Sequence, residues 1–503
     1  MTTAHRSSAD VVVVGAGSAG CVLAARLSDD PACRVALLEA GPALPLAERP
    51  AELVHLSRPI AWPYDWDDHV VGADGRSHHY GRGRGLGGSS ATNGGVALRP
   101  APADVDWGPG WTWPDLLGSL VAIEHDLDFA ADPWHGGSGP IPIVRWPERA
   151  WNPMQQGFVA GCEAVGLARV ADLNAPGASG VGAVPMNRRG RDRVSAHEAF
   201  LAPVSDRANL TVVGDAHVAR IRWSGTRAIG VETTDGRVVD ADHVVLAAGV
   251  IQDPLLLWRS GVGPAEALRA RGIDVVAHVP AVGAHLTDHM VVTYAAAIDP
   301  ATIPDDAPSL QTLATATAPG SGRAGSADDL QFTPFVRRHP DGRRDLCVSV
   351  SLQLPEGVGT VSPGSDLMGP AEIRWPFTHL PSNVARLVAG WRLAAEIAHH
   401  SGLVVDPAAV DRDRARTDTE VADLVRDEHS AFYHGVGTCR MGDDRTPDAE
   451  RVVDLDARVV GVLGLSVVDA AIVPSVPRTN TNLTAMAVAH HAVTTRRTHT
   501  PSG

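Results

Sequence analysis

Four consecutive valines, Val11 to Val14, run straight into Gly15-Ala-Gly17-Ser18-Ala19-Gly20 and on into Cys21-Val-Leu-Ala-Ala-Arg-Leu. This is the pattern of a buried strand, a glycine turn and a helix. Strand character returns at Arg34-Val-Ala-Leu-Leu-Glu39, which closes a β-α-β unit of ordinary size. Gly15 permits the tight turn and Gly20 lets helix and strand pack closely. Gly17, with Ser18 and Ala19 after it, lets a pyrophosphate approach the helix N-terminus, where amides and the helix dipole favour an anion. Glu39, nineteen positions after Gly20, stands at the end of the second strand. It is placed to accept hydrogen bonds from an adenosine ribose, and its charge disfavours a 2′-phosphate, so NADP is not expected. The motif alone does not separate NAD from FAD.

A chain of 503 residues is too long for one ordinary core. It suits two intimately joined domains, or one large α/β domain with a second inserted. The longest apolar runs, such as Val11 to Val14 and Val244 to Ile251, are strand-length and fall short of the ~20 residues a membrane span needs. No integral membrane segment is therefore expected. Met1 to Asp10 is polar, with no hydrophobic leader core, from which a cytoplasmic location is expected. A net charge of −15 argues against nucleic acid as a partner, because phosphate backbones demand a basic face. The five cysteines are scattered with no Cys-x-x-Cys pair and read as buried thiols in a reducing compartment. All 43 residues of the lysine-plus-arginine class are arginine, which excludes a Schiff-base lysine, a lysine general base and a Walker lysine. Arginine stays charged and cannot serve as the base.

Further along, Ala318 to Asp329 is rich in Gly, Ser and Ala and reads as a surface loop or flap. Strand patterns at Leu330 to Val336, Asp345 to Leu354 and Ala371 to Trp375, then a helix from about Ser382 to His399, predict an α+β region with an antiparallel sheet. An Ala-rich helix from about Asn482 to Arg496 ends the chain.

Four more segments carry a resemblance. They are Gly81-Arg-Gly-Arg-Gly-Leu-Gly87-Gly88-Ser89-Ser-Ala-Thr92-Asn93-Gly94-Gly-Val96, Gly249-Val-Ile-Gln-Asp253-Pro254 through Ser260-Gly-Val-Gly, Val282-Gly-Ala-His-Leu-Thr-Asp288-His289, and a tail. The tail holds Tyr433-His434-Gly-Val-Gly-Thr-Cys-Arg-Met-Gly442, then Leu465-Ser-Val-Val-Asp469-Ala470, Pro474 and Asn480-Thr-Asn482. Together and in this order they resemble the glucose-methanol-choline (GMC) family of FAD-dependent oxidoreductases, over nearly the whole chain. Several segments between, such as Trp111-Thr-Trp-Pro and His135-Gly-Gly-Ser-Gly-Pro, look most like bacterial members associated with mycofactocin systems.

The resemblance implies an α/β fold: a Rossmann-type FAD-binding domain with an interleaved α+β substrate domain, as in p-hydroxybenzoate hydroxylase-like folds. The FAD domain is expected from 1–140, 195–290 and 435–503, and the substrate domain from 141–194 and 291–434. The resemblance also implies that Gly87, Gly88, Ser89, Asn93, Gly94 and Val96 lie against FAD, with Val218, Asp469 and Ala470. Some members tether the flavin through a histidine just before the position of Asn93; here Thr92 stands there, so non-covalent FAD is expected. The second signature usually has Ser or Thr where this chain has Asp253, and the role of that residue is open.

Alcohol oxidation removes a proton from oxygen and a hydride from carbon, so a base and an acceptor are both needed. By resemblance His434 is the base, and the register of Asn482-Leu-Thr-Ala-Met makes Asn482 the anchor of the substrate oxygen. An Asn before an apolar run is also a favoured helix cap, and the two roles are compatible. The doublets His78-His79, His399-His400 and His490-His491 do not suggest a metal, because adjacent side chains diverge; no metal is expected. The expected partners are a small-molecule alcohol and an electron acceptor, either O2 or a respiratory redox carrier, with reduced mycofactocin as a candidate donor. A hydroxynitrile lyase that keeps the flavin as a structural element, or an alcohol oxidase of a biosynthetic pathway, are the alternatives.

Overall fold

The computed structural model describes residues 6–56, 64–72, 74–318, 327–377 and 380–495. The four valines end the strand Arg6–Val14 and are all buried. They form a continuous apolar run because the strand is central in a parallel sheet and is covered on both faces. Val35–Leu38 lies on one side and Val238–Leu246 on the other, with Leu210–Val213 beyond Val35–Leu38, all parallel. Val238–Leu246 then forks. Its first half pairs antiparallel with Arg227–Thr233, which pairs with Val218–Ser224, while its end pairs parallel with Leu465–Val467 from far along the chain.

At the turn after the first strand, Gly15 has φ +98°, and a Cβ on Gly20 would sit 1.8 Å from the Gly15 carbonyl oxygen. Only glycine fits at either position, and helix Ser18–Leu27 therefore lies tight on the sheet. That helix packs against Asn482–Thr495, the helix expected at the end of the chain.

A second, six-stranded antiparallel sheet runs in the order Ser430–Ala431, Met290–Ile298, Arg344–Leu352, Leu330–Arg338, Thr312–Ala316, Val181–Ala183. Its residues alternate by face. Met290, Val292, Leu330, Phe332, Val348 and Val350 belong to one apolar cluster, shared with helix Pro381–His400. The intervening positions, Thr293, Ser349, Ser351, Gln331 and Thr333, lie in register across three strands and are uncharged and polar. The hairpin His69–Gly72 and Ser77–His79 joins Thr360–Pro363 and Ala371–Trp375 in a four-stranded sheet, so the early part of the chain is stitched to the late part. This is the expected fold class. The anticipated loop at 318–329 lies for the most part outside the described residues.

Helix Gly249–Arg259 contains Pro254. Proline has no N–H, so the carbonyl of Val250 loses its intrahelical donor. The hydroxyl of Thr438 replaces it, donating to the Val250 oxygen at 2.7 Å.

Candidate active site

Both sheets contribute to one cavity of about 700 Å³, a size typical of ligand sites. Its first wall is the glycine turn, with Gly15, Gly17, Ser18 and Ala19, together with Glu39 and Val218. Gly88, Ser89, Asn93, Gly94 and Val96 form a second wall, and Asp469 and Ala470 a third. Gly20 and Gly87, expected among the cofactor contacts, stand behind these walls. Gly20 packs on Gly15, and the Gly87 amide donates to the Ala16 carbonyl at 2.8 Å, so both shape the frame.

Glu39 is buried and accepts from the amides of Ala16 at 2.8 Å, Gly41 at 2.9 Å and Gly85 at 3.0 Å. Burial raises its pKa, against the pull of those three amides. A carboxylate offers about four acceptor sites, so one remains for a ligand hydroxyl. The loop carrying Ser89 and Asn93 is fastened by Arg193, 2% exposed, which donates to the carbonyls of Asn93 at 2.8 Å, Ala91 at 2.7 Å and Leu53 at 3.1 Å. Burial brings the Arg193 pKa down to about 10. Thr92 lines the cavity and donates from its hydroxyl to the Ser89 carbonyl.

His434 enters the same cavity. Its Nδ1 lies 2.9 Å from Nδ1 of His289, and His289 Nε2 lies 2.9 Å from the carbonyl of Pro477. That carbonyl can only accept, so His289 carries its hydrogen on Nε2 and presents Nδ1 as an acceptor. His434 must then donate from Nδ1, which leaves Nε2 with a free lone pair. Burial holds the His289 pKa at about 4. Burial, with the nearby His289 and Arg82, holds that of His434 well below the usual histidine range. Both rings are therefore neutral at physiological pH, as this relay requires.

The backbone beneath the two rings is equally fixed. The buried Asp288 carboxylate accepts from the His289 amide at 2.6 Å, the His434 amide at 2.8 Å and the Tyr80 hydroxyl at 2.5 Å. Its pKa is pushed up to about 6 by burial, against Arg82 and these donors. Tyr433, just before His434, has φ +65°, an unfavourable conformation for an aromatic residue and one that clusters at functional sites.

The partner of His434 differs from the expectation. Asn480, which sequence reasoning passed over, places Nδ2 3.0 Å from His434 Nε2. Asn482 is the first residue of the last helix, accepts from the Ser18 hydroxyl at 2.8 Å and faces Asn187. It lines the same cavity, but its amide is engaged with the glycine turn. The reason is the helix start: residues inside the first turn are fixed by the helix, while Asn480, two residues earlier, is free to reach His434. In the sequence the pair Asp288-His289 shows only as an acid next to a histidine in a turn before a strand.

The histidine doublet His490-His491 diverges, one ring to the Ser119 hydroxyl and the other to the Gly110 carbonyl. Away from the cavity, Glu124, Asp126 and His135 bring ligand-type atoms within 4.8 Å of one another. Arginines already occupy this cluster: Arg99 pairs with Glu124, Arg145 with Asp126 and Asp172, and His135 bonds Glu124 and Asp172. With His135 protonated, three cations face three carboxylates.

Among the described residues no helix is long and apolar enough to cross a membrane. Family models described as GMC oxidoreductase match residues 9–291 and 355–489. A GMC-type oxidoreductase of Rhodococcus erythropolis is 35% identical, covering 96% of this chain and 97% of its own. The 5-(hydroxymethyl)furfural oxidase of Methylovorus sp. is 32% identical, with 95% and 97% covered. Among solved structures, a pyridoxine 4-oxidase from Mesorbium loti superposes with a TM-score of 0.84 at 29% identity, covering 97% of this chain and 99% of that one. With matches running from the glycine turn to the final helix, the chain belongs to the GMC oxidoreductase family and is an FAD-dependent alcohol oxidoreductase.

Proposed function

We propose that the protein oxidises a primary alcohol, with His434 Nε2 taking the hydroxyl proton and non-covalently bound FAD as the cofactor. The residues present fit FAD. Helix Ser18–Leu27 begins at Gly17 with no side-chain cap, and a Cβ at Gly17 or Gly94 would meet nothing within 4 Å, so the backbone opens to the cavity. An uncapped helix N-terminus suits the pyrophosphate, and the spare acceptor site of Glu39 suits the ribose. Thr92 offers no ring nitrogen for a covalent tether. When bound, FAD supplies the two-electron acceptor for the hydride.

The carrying observation is the chain of contacts from Pro477 through His289 to His434, from which the tautomer of His434 follows. The relay from Pro477 through His289 keeps Nε2 unprotonated and turned to Asn480 inside the cavity. A substrate hydroxyl that displaces the Asn480 amide from Nε2 meets both a proton acceptor and a donor for its oxygen. Asn480 is therefore assigned as the oxygen anchor, with Asn482 holding the glycine turn through Ser18. The depressed pKa keeps His434 neutral and ready, and imidazolium forms only when an alkoxide-like oxygen stands opposite to compensate it.

The 5-(hydroxymethyl)furfural oxidase among the relatives carries a hydroxymethyl substrate in its name, which supports a primary alcohol. The test is an anaerobic titration of the purified holoenzyme with such alcohols and with reduced mycofactocin, followed by visible absorbance. Bleaching of the flavin is expected, slowed by ~10²–10⁴-fold in His434→Ala. A spectrum unmoved by every donor would sink this reading and favour the lyase; the rate of recovery in air separates oxidase from dehydrogenase.

A further inference from the structure

Asp253 and Asp469 meet beneath the cavity. Asp253 is fully buried and Asp469 is 4% exposed. Asp253 accepts the amide of Ala248 at 2.9 Å on Oδ1, and Asp469 accepts the very next amide, Gly249, at 2.7 Å on Oδ2. Asp469 also accepts the Ala471 amide at 2.7 Å on Oδ1. Oδ2 of Asp253 has no donor. The two carboxyl groups lie side by side within hydrogen-bonding reach of each other, next to these neighbouring amides. Two buried carboxyls in contact do not both ionise; they share one proton.

We propose that Asp253 is a positioning residue for the cofactor, a neutral carboxylic acid that donates a hydrogen bond to Asp469 and so locks Ala248–Gly249 to Asp469–Ala471. The inference rests on the FAD reading. Ala248, Gly249, Asp469 and Ala470 all line the cavity, so the lock sets the surface on which the cofactor rests. The proton belongs to Asp253 because Asp469 already has two amide donors and Asp253 one. Burial and the charge of Asp469 both favour a protonated Asp253. The other groups that face the pair are the Cys439 thiol, held neutral by burial and by these carboxyls, and Arg82, whose charge favours the ionised form of Asp469. The GMC signature that this segment resembles usually has Ser or Thr at this place. A hydroxyl and a protonated carboxyl are both donors, so the substitution keeps the hydrogen bond.

The test compares flavin retention, read by the fluorescence of released FAD, across pH in the wild-type holoenzyme, Asp253→Asn and Asp253→Ala. Asparagine keeps both an acceptor for the Ala248 amide and a donor for Asp469, but cannot ionise. The wild type is expected to release FAD as the pH is raised, Asp253→Asn to hold it to the same alkaline pH without release, and Asp253→Ala to bind it about tenfold or more weaker throughout. Infrared difference spectra of wild type against Asp253→Asn should show the carbonyl stretch of a protonated carboxylic acid, which also serves if Asp253→Ala does not fold. Equal alkaline release from wild type and Asp253→Asn, or a missing acid band, would overturn the proposal. A wild-type protein that never binds FAD would overturn the functional reading as well, and so the two failures are told apart.

Discussion

Nδ1 of His289 and Nδ1 of His434 lie 2.9 Å apart, and the hydrogen between them belongs to His434 because the Pro477 carbonyl claims the hydrogen on the other nitrogen of His289. Replacing His289 by Leu strands the Nδ1–H of His434 in a buried site, at a cost of ~1–3 kcal/mol, or about 10–100-fold in rate. His289→Asn restores an acceptor and should recover part of it. Stopped-flow reduction of the flavin by a good substrate measures both. A rate unchanged in His289→Leu would show that the base does not depend on this neighbour.

Asn480 and Asn482 are two residues apart and separable by kinetics. Asn480→Ala removes the donor at His434 Nε2 and should lower kcat by about 10²-fold, in line with loss of one donor to a developing oxyanion. Asn482→Ala removes the acceptor of the Ser18 hydroxyl and should weaken cofactor binding with a smaller effect on kcat of the fully loaded enzyme. The reverse pattern would return the anchor role to Asn482.

The pH profile of flavin reduction should stay flat well below pH 6.5. His434 has its pKa depressed by burial, with His289 and Arg82 adding to it. It remains an unprotonated base in acid that would already have charged an ordinary histidine. An acid limb at or above pH 6.5 would contradict this.

Arg193 holds four carbonyls of the cofactor loop and its neighbour, those of Asn93, Ala91, Leu53 and Glu52. Arg193→Leu leaves them without donors and is expected to raise the Kd for FAD by about 10-fold or more, measured by fluorescence quenching on reconstitution of the apoprotein.

At the Glu124, Asp126, Asp172, Arg99, Arg145 and His135 cluster, burial works against the charged ring, but the hydrogen bonds of His135 to Asp172 and Glu124 win and carry its pKa up to about 9. A histidine raised above its unfolded value stabilises fully below pH 6.5, and the contribution is lost as pH rises through about 9. His135→Leu should cost about 3 kcal/mol at pH 6 and much less at pH 10 by thermal unfolding, while chelators leave the wild-type Tm unmoved. A Tm that falls on chelation would turn the cluster into a metal site.

The sequence made the dinucleotide unit readable because its constraints are local. Gly15, Gly20 and the valine run are dictated by contacts within a few residues or one sheet, and they stand where the motif puts them. The place of His434 in the cavity was readable for a different reason, since the surrounding segment resembles a known one. Asn480 was missed because its contact with His434 spans 46 positions and depends on where the last helix begins, and register by resemblance favoured the residue two places later. His289 escaped for the same kind of reason: its partner is 145 positions away. Gly87, whose amide is bonded to the Ala16 carbonyl, shapes the frame of the turn from a segment some 70 positions away.

The missing rung at Pro254 ties the floor of the cofactor cavity to the chain that carries the base. The stretch from His434 to Thr438 is pinned at one end by Asp288 and at the other by the Val250 carbonyl. Its length is thereby calibrated against a helix from a distant part of the sequence. Lengthening it by one residue would force a choice between anchors, and giving up the one at Asp288 would release the backbone of His434. This stretch is a gauge, and what it measures is the separation of His434 from Asn480.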